Sequence, residues 1–250
     1  KWQLNTSKFK ERANHTVQYD SGKIYILGGK RLAKNKKVEY LEDCIEVYDT
    51  LSQKIWKDYA NPHQAVNVNT CIYNHNLIVM GGSTRIKINK EKTYSSKVHA
   101  LDLKTGYWYE LEDMPQAQEA KGILVGDHIY LIGGYKTTAL KEIQNYNITT
   151  GAWHTEGELL YATERPALAY HKNIIYIFEG DKIQTYNVKT KEIKNFQINL
   201  FLKNSELFCI DNKLYILGGA ETSETLILPS QHLYCIDLHE FQITAQSDRD

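Results

Sequence analysis

Two arginines, two asparagines and a glutamate occupy matching places in this 250-residue chain, a set able to hold an acidic or hydroxyl-rich ligand. Five aliphatic runs end in a glycine pair or its remnant. Counting back fourteen residues from each, and allowing two extra in the first, lands on Arg12, Asn67, Glu119, Arg165 and Asn204. A guanidinium takes a carboxylate in a planar two-pronged fork, while amides and a carboxylate exchange hydrogen bonds with hydroxyls. The same arginines could instead satisfy backbone carbonyls and hold loops. His15, three residues from Arg12, either adds a titratable group to this set or packs as an ordinary strand residue.

A second constellation is basic. Lys30, Arg31, Lys34, Lys36 and Lys37 follow the first glycine pair, and Arg85, Lys87, Lys90 and Lys92 follow the second. Side by side they would speed the approach of an acidic partner. Lysine-rich hairpin tips also serve solubility alone. After the fifth pair come Glu221 and Glu224, then apolar Leu226-Ile-Leu-Pro229, a contact site or a loop folded back on its own sheet.

Signals for catalysis are sparse. The nine histidines are scattered, with no metal-ligand spacing, and no nucleophile elbow, phosphate-cradling loop or paired-carboxylate signature occurs. No cofactor or metal is expected. Cys44, Cys71, Cys209 and Cys235 sit in or beside apolar strands without CxxC spacing, as buried free thiols or with one disulfide among them. Thirty basic and thirty acidic side chains cancel, so nothing in the net charge argues for nucleic acid or an anionic membrane. No apolar stretch approaches membrane-spanning length. The first residue is Lys1 rather than Met, which fits an exported, processed protein, periplasmic or secreted, or a cytoplasmic one whose start lies elsewhere. Asn5-Thr-Ser7, Asn14-His-Thr16 and Asn147-Ile-Thr149 match the glycosylation triplet, which also arises by chance.

All of these residues hang on one repeat. The runs are Ile24-Tyr-Ile-Leu-Gly28-Gly29, Leu77-Ile-Val-Met-Gly81-Gly82, Ile129-Tyr-Leu-Ile-Gly133-Gly134, Ile175-Tyr-Ile-Phe-Glu179-Gly180 and Leu214-Tyr-Ile-Leu-Gly218-Gly219, separated by 53, 52, 46 and 39 residues. A fixed order recurs around each: strand, turn, the glycine-ending strand, a variable loop, a strand closing in Asp or Asn, a turn, and an outer strand. The closing residues are Asp49, Asp102, Asn147, Asn187 and Asp237, suited to tight turns. Trp56, Trp108 and Trp153 lie seven, six and six residues beyond the first three, and Ile193 and Ile243 stand six beyond the last two. The hydrophobic period is two throughout, so the chain is read as all-β.

Glycine pairs after an aromatic strand, Tyr-Asp, and Trp six residues on resemble the kelch repeat, and the resemblance runs essentially from end to end. It implies a β-propeller, of the superfamily that also holds the galactose oxidase propeller, built from four-stranded antiparallel blades. The repeat units are roughly 12–60, 65–112, 117–158, 163–198 and 203–245 of a single domain. The glycines would let the backbone turn sharply where inner strands crowd, and the tryptophans would fill the widening gaps between blades. Glu179 is the exception, either a strained substitution with a purpose or a drifted repeat. Trp2 lies 26 residues before Gly28, an outer-strand position, so the N-terminal strand 1–6 closes a five-bladed ring or the chain is part of a six-bladed one.

In such propellers the loops after the glycine pairs and those between blades share a face where relatives bind ligands. That implication places Arg12, His15, Asn67, Glu119, Arg165 and Asn204 near the central channel, and Lys30, Arg31, Arg85 and Lys87 on the rim. The resemblance implies a monomeric, non-catalytic module recognising a protein or peptide, acidic if the lysines matter. The alternative is an exported propeller acting on or binding an acidic sugar, as sialic acid epimerases do, although that family is six-bladed.

Overall fold

The computed structural model describes residues 9–34, 39–85, 92–222 and 227–239. The period-two pattern is realised as antiparallel sheets, one for each glycine run. The first contains Ala13–Asp20, Lys23–Leu32, Cys44–Asp49 and Ile55–Ala60 in spatial order, with Glu39–Leu41 added beyond the glycines. The second contains Asn69–Tyr73, Asn76–Met80, Val98–Asp102 and Trp108–Glu110. The third contains Gly122–Val125, His128–Ile132, Thr138–Asn147 and Ala152–Thr163. The fourth is written in three elements, Ala167–His171, Ile174–Asn187 and Ile193–Leu202, and the fifth in Glu206–Ile210, Lys213–Leu217 and Leu233–Asp237.

Two compact units form. One holds residues up to Ala120 with Thr149–Trp153, the other Lys121–Ile148 and His154 onward. In the first, Tyr25, Leu27, Ile45 and Val47 of blade 1 pack on Leu77, Val79 and Leu101 of blade 2, with Trp56 and Trp108 at the margin. In the second, Tyr130, Ile132 and Ile143 of blade 3 meet Leu168, Ile175 and Ile177 of blade 4. The opposite face of blade 4, Tyr176, Phe178 and Ile183, covers Leu207, Leu214 and Ile216 of blade 5. Burying each such side chain is worth about 1.5–3 kcal/mol, so the cores between sheets hold each unit together.

The turn residues act as their chemistry demands. Asp49 Oδ1 accepts from the backbone N–H groups of Leu51 and Ser52, and Asp102 and Asn187 repeat this two and three residues on. Each hairpin of second and third strands is then pinned by one bond: Thr50 N to Gly22 O, Leu103 N to His75 O, Ile148 N to Asp127 O, Val188 N to Asn173 O and Leu238 N to Asn212 O, all 2.9–3.0 Å. The Val188–Asn173 bond shows that Ile174–Asn187 doubles back on itself, so blade 4 has its second and third strands with almost no loop between them.

The glycine pairs also bond to the chain at or just beyond the end of their own blade's last strand. Gly29 N donates to Ala65 O, Gly82 N to Gln118 O and Gly134 N to Thr163 O, at 3.0, 2.8 and 3.0 Å. Gly82 shows why no side chain is tolerated: φ is +90°, and a Cβ would lie 2.7 Å from Val66 O. The fourth repeat departs because Glu179 has no such φ and its carboxylate accepts the N–H groups of Glu164 and Arg165, both at 2.9 Å. Glu179 caps the incoming loop, a structural purpose. Trp2, the closing strand 1–6 and Ile243 lie outside the described residues.

Candidate functional site

The first repeat carries the densest cluster of charge. Arg12 reaches in from the segment before the first strand and Glu46 from the third strand. They form an ion pair with both side chains 2% exposed, and Arg12 also donates to Gly28 O at 3.3 Å. Glu46 further accepts the Lys10 backbone N–H at 3.0 Å. Glu42, 1% exposed, pairs with Lys10 Nζ and lies 3.3 Å from Arg31 Nε. Arg31 lies over the Tyr40 ring with its guanidinium carbon 5.3 Å from the centroid, and Lys30 pairs with Glu39 at 2.8 Å. Above this cluster lies an open depression of about 550 Å³, lined by Lys10, Glu11, Arg12, Ala13, Lys30, Arg31 and Leu32. Cys44 Sγ is 3.7 Å from Lys10 Nζ, and burial pushes its thiol up.

The basic loops are therefore less positive than their residues suggest. Lys30, Arg31 and Lys92 each have a carboxylate partner, in Glu39, Glu42 and Glu119. Lys36, Lys37, Lys87, Lys90, Glu224 and Leu226 lie outside the described residues, and Arg85 ends the strand Ser83–Arg85. Ile227–Pro229 pairs with Ala220–Thr222, and its three residues are exposed, Ile227 at 70%.

The fourteen-residue register resolves into separate local roles. Asn67 has φ +53°, and its Oδ1 accepts from Asn14 Nδ2 at 3.0 Å. Asn14 has φ +58° and Asn204 +57°. Fourteen residues strictly before Gly28 is Asn14, so Asn14, not Arg12, is the backbone equivalent of Asn67 and Asn204. The two-residue allowance is corrected by the left-handed turn these asparagines share. Glu119, 2% exposed, accepts from Ser83 Oγ at 2.5 Å and Lys92 Nζ at 2.9 Å. Arg165 is part-exposed beside Glu164 at 3.8 Å, and His15 is an exposed strand residue opposite Gly28.

The structure adds a pair the sequence left scattered. His63 and His99, 4% and 9% exposed, meet Nδ1 to Nδ1 at 2.8 Å, and His63 Nε2 lies 2.7 Å from Gly81 O. A carbonyl only accepts, so His63 carries its proton on Nε2 and its bare Nδ1 accepts from His99 Nδ1–H. Burial lowers His63 to about 4 and lowers His99 as well. Both rings stay neutral and hold the glycine turn of blade 2.

Glu46 and His99 occupy one register position, three residues before the turn residues Asp49 and Asp102. Gln184 is the same position before Asn187, and it clasps the Tyr161 backbone through N–H and C=O at 2.9 and 3.0 Å. The partners Lys10, His63 and Tyr161 each stand eighteen residues before Gly28, Gly81 and Glu179. Extending the repeat count to these two positions would have found the clasp from sequence.

In the second unit Glu156 gathers Asn145 Nδ2 at 2.7 Å, Tyr186 OH at 3.0 Å and Lys191 Nζ, three donors that outweigh burial and hold its carboxyl below the usual range. Burial and Glu156 push Tyr186 up. This is a satisfied ion network beside the strands. All four cysteines are free, but Cys71 alone is buried, its thiol pushed up to about 12; Cys44 and Cys209 are half-buried and Cys235 is exposed.

Residues 1–180 match the family described as the KLHDC2/KLHL20/DRC7 Kelch-repeats domain. The chain belongs to the kelch-repeat family. It is 24% identical over 192 residues to Kelch-like protein terF of Aspergillus terreus, covering 71% of this chain and 40% of that protein. It is 26% identical over 176 residues to Kelch-like protein 40 of Xenopus tropicalis, covering 64% and 26%. Kelch domain-containing protein 10 of Homo sapiens is 34% identical over 92 residues, covering 33% and 20%. The chain thus spans less than half the length of these curated relatives. Among solved structures, YjhT superposes with a TM-score of 0.73 at 15% identity, over 90% of this chain and 82% of that one. The fold is a kelch β-propeller, with five antiparallel blades among the described residues. Among the described residues no helix is long and apolar enough to cross a membrane.

Proposed function

We propose that this kelch module is a binding protein that recognises a protein or peptide partner at the blade 1 depression. The observation that carries this reading is the pairing of cation with exposed apolar surface there: Lys30 and Arg31 line it beside Leu32, and Tyr40 lies under Arg31, with Leu32 at 56% and Tyr40 at 43% exposed. Aromatic and arginine side chains on one rim are what protein interfaces concentrate. The ion pairs to Glu39 and Glu42 hold these cations in place, so an acidic partner would gain a preformed surface and a faster encounter.

The test is binding of acidic and neutral peptide libraries to the chain and to Lys30→Glu and Leu32→Ser, both solvent-facing changes. The reading expects preference for acidic peptides with an apolar residue, weakening with salt, and roughly tenfold or greater loss in each variant. Equal binding of all peptides by all three proteins would rule out this depression as the recognition surface.

A further inference from the structure

The first sheet departs from the others where its two inner strands part. Lys23–Leu32 is ten residues long and runs past its glycine pair, with Lys30 opposite Ala13 on one edge and opposite Leu41 on the other. Beyond Lys30 the two edges differ. Glu39–Leu41 follows one of them as far as Leu32, whereas pairing on the first-strand edge stops at Ala13. The incoming segment has left that edge because Lys10 N and the Arg12 guanidinium are both held by Glu46, on the strand that flanks Lys23–Leu32 from its other side. The bonding pattern shows which backbone groups are left open. Glu42 N donates to Gly29 O at 3.1 Å, so Lys30 and Leu41 face each other without mutual bonds and Arg31–Tyr40 is the bonded pair. A strand residue sends its N–H and C=O to the same edge, and the edge alternates along the chain. Arg31 therefore directs both groups at Tyr40, and Leu32 turns both toward the edge that the first strand has left. Among the described residues nothing pairs with Leu32 there. Leu32 is 56% exposed and lines the depression with Lys10, Arg12, Lys30 and Arg31, against one acid, Glu11.

We infer that this open edge takes the partner's backbone: an extended acidic segment docks in the depression as an added strand, exchanging main-chain hydrogen bonds with the Leu32 N–H and C=O. This rests on the reading of the depression as the recognition surface and states how the segment is held there. An unpaired strand edge is a template for any extended chain, and main-chain bonds give affinity with little demand on sequence. Charge makes the selection. A second copy would bring Lys30 and Arg31 against their own kind, and like charges across a strand pair destabilise it. A basic segment meets the same repulsion. An acidic one sets its carboxylates within reach of Lys10, Lys30 and Arg31, and an apolar residue in it covers the exposed Leu32 side chain. Lysines on an edge thus discourage self-association and leave the edge open to a strand of opposite sign.

Amide hydrogen exchange reports on the edge directly and needs no variant. The intact protein is followed by NMR, free and saturated with a capped Glu-Val-Glu-Leu-Glu-Val-Glu peptide. The Leu32 N–H should exchange freely in the unbound protein and slow by roughly tenfold or more on binding, while the Arg31 N–H, already bonded to Tyr40, changes by less than about twofold. Methylating the peptide's backbone nitrogens one at a time keeps every side chain, and roughly tenfold losses of affinity should fall on alternate positions only. A peptide that binds at the depression with Leu32 exchange unchanged, or with a flat methylation scan, overturns the added strand and leaves the acidic-peptide reading standing. No binding of the peptide overturns both. A Leu32 amide already slow in the free protein also overturns the inference, since the edge is then filled by the chain itself. Slowing that follows protein concentration without peptide, in a particle of doubled mass, overturns it by assigning the edge to a second copy.

Discussion

Blades 1 and 2 solve one packing problem with opposite electrostatics. Each must tie the third strand to the segment arriving before its first strand, through the residue three before the turn and the residue eighteen before the glycine pair. Blade 1 uses charge, with Glu46 taking the Lys10 backbone and the buried Arg12 guanidinium. Blade 2 uses two neutral imidazoles, His63 and His99. Blade 4 makes the same tie with an amide, Gln184 on the Tyr161 backbone. A repeat conserves the place of a polar tie and leaves its chemistry free, so that each blade acquires its own sensitivity to mutation and pH.

Breaking the ionic tie should have the largest effect. Glu46→Ala leaves Arg12 buried without its counter-charge and should destabilise the chain by about 3–5 kcal/mol, read as a fall in the urea midpoint. Replacing both residues by leucine should recover much of that loss, because the desolvation of both charges disappears with them.

Acid should find the neutral tie. An unfolded histidine titrates near 6.5 and folded His63 near 4, so between these values the unfolded chain binds more protons. The stability from a neutral His63 is complete above about pH 6.5, falls as pH drops through this window and is gone below about 4. The full amount is roughly 3 kcal/mol. Urea titrations between pH 7 and 4.5 should show this slope, and His63→Gln should flatten it while leaving the Glu46→Ala loss unchanged.

The amide tie should matter less. Gln184→Ala removes two hydrogen bonds to a part-buried backbone and should destabilise by about 1–2 kcal/mol, with no change in slope between pH 7 and 4.5. Smallest of all, Lys30→Ala removes a part-exposed pair with Glu39 and should shift stability by about 0.5 kcal/mol or less. A larger loss at Lys30 than at Gln184 would mean that surface pairs, not buried ties, set blade stability.

Much of the fold was legible because it is periodic. Glycine pairs, turn acids and outer-strand tryptophans each have a local backbone or packing reason, and local reasons survive in sequence. The site was less legible. Arg12 was aligned with Asn67 by residue type and a two-residue allowance, while backbone conformation selects Asn14. The basic loops read as a positive patch because their partners Glu42 and Glu119 lie outside the basic runs themselves. His63 and His99 are 36 residues apart and met only when two segments folded together.

By itself the sequence determined the all-β class, the repeat and its five sheets, and where each turn and glycine had to fall, because these follow from φ restrictions and a period of two. The tertiary structure alone decided which charges are neutralised, that Glu179 caps a loop, that one buried histidine donates a hydrogen bond to another, and that blade 5 shows an apolar face to water. Each of those depends on which strands become neighbours, and neighbours across a sheet are chosen by packing over distances that no local pattern encodes.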